Sequence, residues 1–199
     1  MNPIQEKANA LSMCAPLIYI SVNLLNNFHP GVFLLFLGTA YHLPLSFLFH
    51  WKCATDPNFV PSTSEFRKLD QTYIHLATVL YVIAINPILD YVLLVLAYNA
   101  FAIGLCWRPT PYLVDKHWIF VYAALLAPLF PLYMFNTQYQ NFVIGFFGLT
   151  LGGIPFTEPV NTDVFKGWGH ALFHLLITLY AHALCSAVHA SPLKWPFHV

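Results

Sequence analysis

The stretch GHALFHLLITLYAHALCSAVHA, residues 169–190, decides how the rest of the chain is read. It contains no Asp, Glu, Lys or Arg, and it is long enough to cross a bilayer, for which a helix needs roughly 20 apolar residues. Yet His170, His174 and His182 stand among its leucines and alanines. A polar side chain in hydrocarbon costs free energy unless something satisfies it, so this helix requires partners elsewhere in the chain.

The composition generalises the reading. Of 199 residues, 58% are hydrophobic and 8% charged, against about 25% charged in a soluble domain. So few charges cannot cover a water-facing surface, and the expected class is a multi-pass integral membrane protein with lipids as its first partners. The formal net charge is zero, which leaves no basic face for nucleic acid. Cys14, Cys53, Cys106 and Cys185 form no CxxC pair and read as isolated thiols, not as a disulfide framework or thiolate metal site. One lysine precedes the first apolar run, but no small-residue cleavage site follows Leu25, so a retained first span is expected.

Apolar segments separated by polar or proline-containing breaks give seven spans, at about 8–27, 31–51, 68–86, 88–107, 117–135, 141–155 and 168–190. They form a single membrane domain over residues 1–199. The sixth is short and carries Gly145, Gly148, Gly152 and Gly153, which allow close backbone approach. The sequence STSE at 62–65 reads as a capping box before the third span, or as a short interfacial helix. Trp51, Trp107, Trp118 and Trp168 fall at span ends, as an aromatic belt would have them. Seven spans put Lys7, Lys52, Arg67, Lys68, Arg108, Lys116 and Lys166 on the N-terminal side and leave Lys194 on the other. The positive-inside bias then predicts an all-α, seven-helix bundle with its N-terminus inside and C-terminus outside. The membrane is that of the cell, an endomembrane or an organelle, with the inside being cytoplasm, matrix or stroma.

The same topology gathers the chemistry. SFLFH at 46–50 places Ser46 and His50 four residues apart, about 40° around a helix. His170 and His174 repeat that spacing at the start of the seventh span, and RKLDQTYIH places Asp70 in the opening turns of the third. All five fall near the positively charged face. Three imidazoles with an open fourth position make a catalytic zinc site, whose bound water becomes acidic and which can polarise a carbonyl. Asp70 is placed to hold that water or take its proton, and Ser46 to support an oxyanion. Taken alone, each residue has a structural reading: interhelical hydrogen bonds for the histidines, a helix-dipole contact for Asp70, back-bonding for Ser46.

These segments resemble motifs of the haemolysin III proteins and the progestin and adipoQ receptors, within a superfamily of seven-span metal hydrolases that includes the alkaline ceramidases. The shared pattern is S-x3-H ending span two, an Asp opening span three and H-x3-H in span seven, matched here at Ser46, His50, Asp70, His170 and His174. RKLD at 67–70 also resembles the basic-basic-Leu-Asp run of haemolysin III members, and the chain length suits that compact type. The resemblance implies zinc on His50, His170 and His174, with Asp70 and Ser46 as catalytic residues in hydrolysis of a lipid amide or ester, ceramide being the reference substrate. Two departures stand out. The 52–67 connection is longer than in haemolysin III proteins, and Glu6 stands alone, without the acidic cluster that ceramidases use for calcium.

The expected function is therefore a zinc-dependent, membrane-embedded lipid hydrolase. The alternative is a non-catalytic accessory subunit of a larger membrane complex, or a receptor-like protein, that keeps zinc as a structural brace. A pore is disfavoured because the spans lack a charged ring. His42, one turn before Ser46, is read as an interhelical hydrogen bond or a proton relay. His75 is off the Asp70 face, and His182 and His189 lie too far along the last span to join the site. Cysteines introduced at Asn2 and Val199, with the native cysteines replaced, are expected to label from opposite sides of the membrane. Labelling of both from one side would remove the odd number of spans.

Overall fold

The computed structural model describes residues 2–86, 88–108, 111–134, 138–157 and 160–191. Among them there is no strand. The order is α1 (Pro3–Ser12), α2 (Cys14–Asn26), α3 (Pro30–Thr55), α4 (Glu65–Ile85), α5 (Leu89–Cys106), α6 (Pro111–Leu126), α7 (Leu129–Met134), α8 (Tyr139–Phe156), α9 (Val160–Asp163) and α10 (Gly169–Ala190). A 3-10 turn, Pro61–Thr63, precedes α4.

Among the described residues, five segments are long and apolar enough to cross a membrane: Pro3–Asn26, Pro30–Thr55, Leu89–Cys106, His117–Met134 and Gly169–Ala190. The chain is therefore a multi-pass integral membrane protein. The expected third and sixth spans are helices, α4 and α8, but fall outside this group. Glu65, Arg67, Lys68, Asp70 and Gln71 load the first half of α4 with polarity, and α8 opens on Gln140 and Asn141 and carries its glycines.

Prolines divide two of the expected spans. The first begins at Pro3 and breaks at Met13, because Pro16 has no N–H to offer the Ser12 carbonyl. The fifth breaks between α6 and α7, where Pro128 and Pro131 remove two further donors. Tyrosines satisfy exposed carbonyls at that break. Tyr91 donates to the Ala127 carbonyl at 2.7 Å and Tyr180 to that of Leu125 at 2.8 Å. Such repair is what permits irregular backbone within an apolar bundle.

Helix α3 packs on α4, and α8 on α10, while α1 and α2 lie against both α3 and α10. Val32, Leu35, Leu129, Leu149, Leu184 and Val188 are central to the buried core. Glycine allows the α8–α10 contact to be close. A Cβ at Gly148 would lie 2.9 Å from the Leu179 Cβ and 3.0 Å from the Tyr180 backbone nitrogen.

The basic residues gather at one end of the bundle, as the charge pattern requires. Lys7 lies over the Trp51 ring at 5.8 Å and Lys68 over Trp107 at 5.6 Å, while the Gln5 side chain donates to the Lys166 carbonyl. Trp168 caps α10, and Trp118, two turns inside α6, stands at the start of the apolar segment His117–Met134. Lys194, Val199 and the Lys116 side chain lie outside the described residues. The expected capping box is replaced by a simpler cap. Ser64, not Ser62, precedes α4, and its side chain accepts from the Phe66 N–H at 3.1 Å.

Gly148→Val should destabilise the bundle by about 1–3 kcal/mol through overpacking, read as a lower Tm in detergent. Gly104→Ala is the control. A Cβ there meets nothing within 4 Å, so its Tm should hold or rise.

Candidate functional site

The site is built where α3 ends and α4 and α10 begin. Along α3, Ser46 and His50 are each 2% exposed, one turn apart on the inward face. Asp70 follows the Ser64 cap by six residues, in the second turn of α4. The start of α10 is set by Gly169, whose N–H donates to the Asn161 side chain at 2.9 Å and whose lack of a side chain admits the Pro155 carbonyl. That placement turns His170 and His174 toward His50.

The three rings form one cluster. Centroids of His50 and His170 are 4.6 Å apart, those of His170 and His174 4.6 Å, and those of His50 and His174 5.9 Å. Each offers one nitrogen, all mutually within 4.8 Å, so together they could hold a metal ion. A tetrahedral zinc with bonds of 2.0–2.1 Å separates its ligand nitrogens by roughly 3.4 Å, inside that envelope.

The hydrogen bonds decide which nitrogens are available. His50 Nδ1 donates to Glu6 Oε2 at 2.7 Å. His174 Nδ1 lies 3.1 Å from the Asn9 carbonyl, which can only accept, so that nitrogen carries the hydrogen. Ser12 Oγ donates to the same carbonyl at 2.9 Å and is therefore free to accept from His174 Nδ1, also at 2.9 Å. With Nδ1 donating, the neutral form of each ring has Nε2 as an unprotonated lone pair. This is the tautomer a metal requires, and the donor set fits zinc.

Beside the histidines, Asp70 accepts from His42 Nε2 at 2.8 Å. The Ser46 hydroxyl faces the same carboxylate, and His50 and His174 are close enough to feel its charge. All these groups line a cavity of about 920 Å³ that continues past Leu35, Tyr81 and Leu184. Leu184 lies ten residues beyond His174 on α10, so the cavity runs about 15 Å from the cluster toward the far end of the bundle.

Ser46, His50, Asp70, His170 and His174 are thus all brought together, and His42 joins them through Asp70. The other described histidines pair with residues away from the cluster. His75 donates from Nδ1 to Asn99 Oδ1 at 2.7 Å, with Nε2 3.1 Å from His117 Nε2. His182 bonds Tyr19 at 2.6 Å, and the His189 ring meets that of His29.

Three residues were not anticipated: Glu6, Asn9 and Ser12. Glu6, the one acidic residue of the N-terminal segment, is 8% exposed and bonded to His50. A first span read from residue 8 leaves it outside the membrane, whereas α1 begins at Pro3 and carries it inward. The available signal was the spacing 6, 9, 12, which puts three polar residues along one side of a helix.

Zinc titrated into metal-stripped protein is expected to fill one site. His170→Ala and His174→Ala should each abolish it, while His182→Ala, paired with the distant Tyr19, should leave it filled. Acidification should release the metal, because protons compete for the same imidazole nitrogens. Unchanged zinc stoichiometry in either α10 variant would remove that residue from the ligand set. No family model, curated protein or solved structure matches the chain.

Proposed function

We propose that this chain is a zinc-dependent hydrolase embedded in the membrane, cleaving an amide or ester bond in a lipid of ceramide-like form. One observation carries the reading. Three histidines, a carboxylate and a hydroxyl share one end of a cavity whose remaining depth is lined by Leu35, Leu125, Ile177 and Leu184. Water and a headgroup suit the first region, and an acyl chain suits the second. The resemblance to the haemolysin III, receptor and ceramidase superfamily points to the same chemistry.

The bundle has seven spans in this reading, with α4 and α8 completing the five most apolar ones. Its N-terminus faces cytoplasm, matrix or stroma, following the basic residues, and its C-terminus faces the opposite side. The polar end of the cavity then lies slightly inside the charged face. Arg67, at the start of α4, lines that end and marks the approach for water.

His50, His170 and His174 would hold the metal. Zinc supplies, when bound, a Lewis acid that makes its water acidic near neutral pH and polarises a carbonyl. Asp70 orients the attacking water and takes its proton. His42, bonded to that carboxylate at 2.8 Å, fixes its direction. Ser46 supports the oxygen on which negative charge develops as the carbonyl is attacked. The apolar walls hold the chain and keep bulk water from the bond being cut.

The test is hydrolysis of ceramides and other amide or ester lipids by zinc-loaded protein. Asp70→Asn should keep the fold and zinc yet lose at least about 100-fold in rate, as removal of general-base help implies. Ser46→Ala should lose less. Cleavage of no such lipid by the zinc-loaded wild type would leave the chain as an accessory subunit or receptor-like protein with a structural metal.

A further inference from the structure

We propose that Glu6 is a positioning residue of the metal site: its carboxylate fixes the His50 ring and strengthens that ring as a donor, so α1 sets metal affinity without supplying a ligand. The proposal rests on reading the three histidines as a metal site.

The geometry is specific. Glu6 Oε2 lies 2.7 Å from His50 Nδ1, with Glu6 8% and His50 2% exposed. A carboxylate in an apolar bundle is costly unless compensated, and a neutral imidazole offers it one hydrogen bond but no charge. Among the described residues, its ion-pair partner is that same imidazole, while the neighbouring Lys7 is turned to the Trp51 ring. A cation on the far nitrogen of His50 would supply that compensation. Glu6 behind His50 and Asp70 beside the cluster place two carboxylates around the three imidazoles, with Arg67 lining the same cavity.

One helix serves two ligands differently. From α1, Glu6 reaches His50, while Asn9 and Ser12 reach His174 through neutral oxygens at 3.1 and 2.9 Å. The helical ladder is interrupted at Met13, between α1 and α2, and α1 is held by Lys7 on Trp51 and by Gln5 on the Lys166 carbonyl. A carboxylate on the outer nitrogen raises the basicity of a ligating imidazole, and losing such a partner typically weakens metal binding by about 10–100-fold. His174 has two acceptors at the same nitrogen, so neither is indispensable there. His50 has the one.

The experiment measures zinc affinity of the full-length, metal-stripped protein in detergent by competition with an indicator chelator. Glu6→Gln keeps the size and one hydrogen-bond acceptor but removes the charge. It should bind zinc about 10-fold more weakly, and Glu6→Ala nearer 100-fold. Ser12→Ala should lose less than Glu6→Gln, because the Asn9 carbonyl remains. Glu65→Gln removes a carboxylate from the exposed first turn of α4, away from His50, and should bind as wild type. In cobalt-loaded protein, whose visible absorption reports the ligand field, Glu6→Gln should shift the bands and Glu65→Gln should not. Wild-type affinity in Glu6→Gln, or an equal loss in Glu65→Gln, overturns the positioning role. A wild type that takes up no zinc overturns the metal site itself, and is distinct from one that binds zinc regardless of Glu6.

Discussion

A buried imidazole in an apolar bundle needs partners for two ring nitrogens, and the structure depends on how those partners are assigned. One nitrogen donates and one accepts in the neutral ring, and hydrocarbon offers neither role. For His50 and His174 the outer nitrogen is taken by α1, through Glu6 in one case and through Asn9 and Ser12 in the other. The inner nitrogens of the neutral rings remain as acceptors, and with His170 the three residues offer one nitrogen each within 4.8 Å of one another, a set that could hold a metal ion. The packing of α1, α3 and α10 therefore sets the geometry of the cluster.

The same constraint, met differently, gives the histidines that are not part of the cluster. His75 uses Nδ1 on Asn99 and Nε2 on His117, joining α4, α5 and α6 by a polar chain in which each of these residues is at most 1% exposed. His182 closes on Tyr19 across α2 and α10. These bonds hold helices together where the hydrophobic effect cannot, since lipid tails are as apolar as the helix faces. A histidine in a span is therefore not informative by type. Its partners separate a brace from a ligand.

Backbone irregularity follows the same logic. Prolines interrupt the first and fifth expected spans, and each break has a consequence nearby. At the α6–α7 break, tyrosine hydroxyls from α5 and α10 occupy the Ala127 and Leu125 carbonyls. At Met13 the helical ladder is interrupted between α1 and α2, and α1 packs against α3 and α10 with Glu6, Asn9 and Ser12 toward the cluster. The glycines of α8 answer a different need, letting that helix close against α10 and so fix where His170 and His174 begin.

The sequence by itself determined the helical membrane class, because apolar length and scarce charge are local properties. It also determined that Ser46, His50, Asp70, His170 and His174 share one end of the bundle. Alternating span direction and a four-residue repeat are enough to place side chains at a depth and on a face. Only the tertiary structure decided which atoms meet. Glu6 and His50 are 44 residues apart and Ser12 and His174 are 162 apart, and no periodicity encodes a contact between different helices. The start of α1 at Pro3 and its break at Met13 were equally hidden, since a polar first turn reads as a tail until its residues are seen paired. The choice of His42 as the partner of Asp70 required α3 and α4 to pack at a definite rotation, which spacing along either helix leaves open. The histidines of the cluster were legible because of their spacing along the chain, and the residues that orient them were not, because hydrogen bonds between helices depend on the packed geometry.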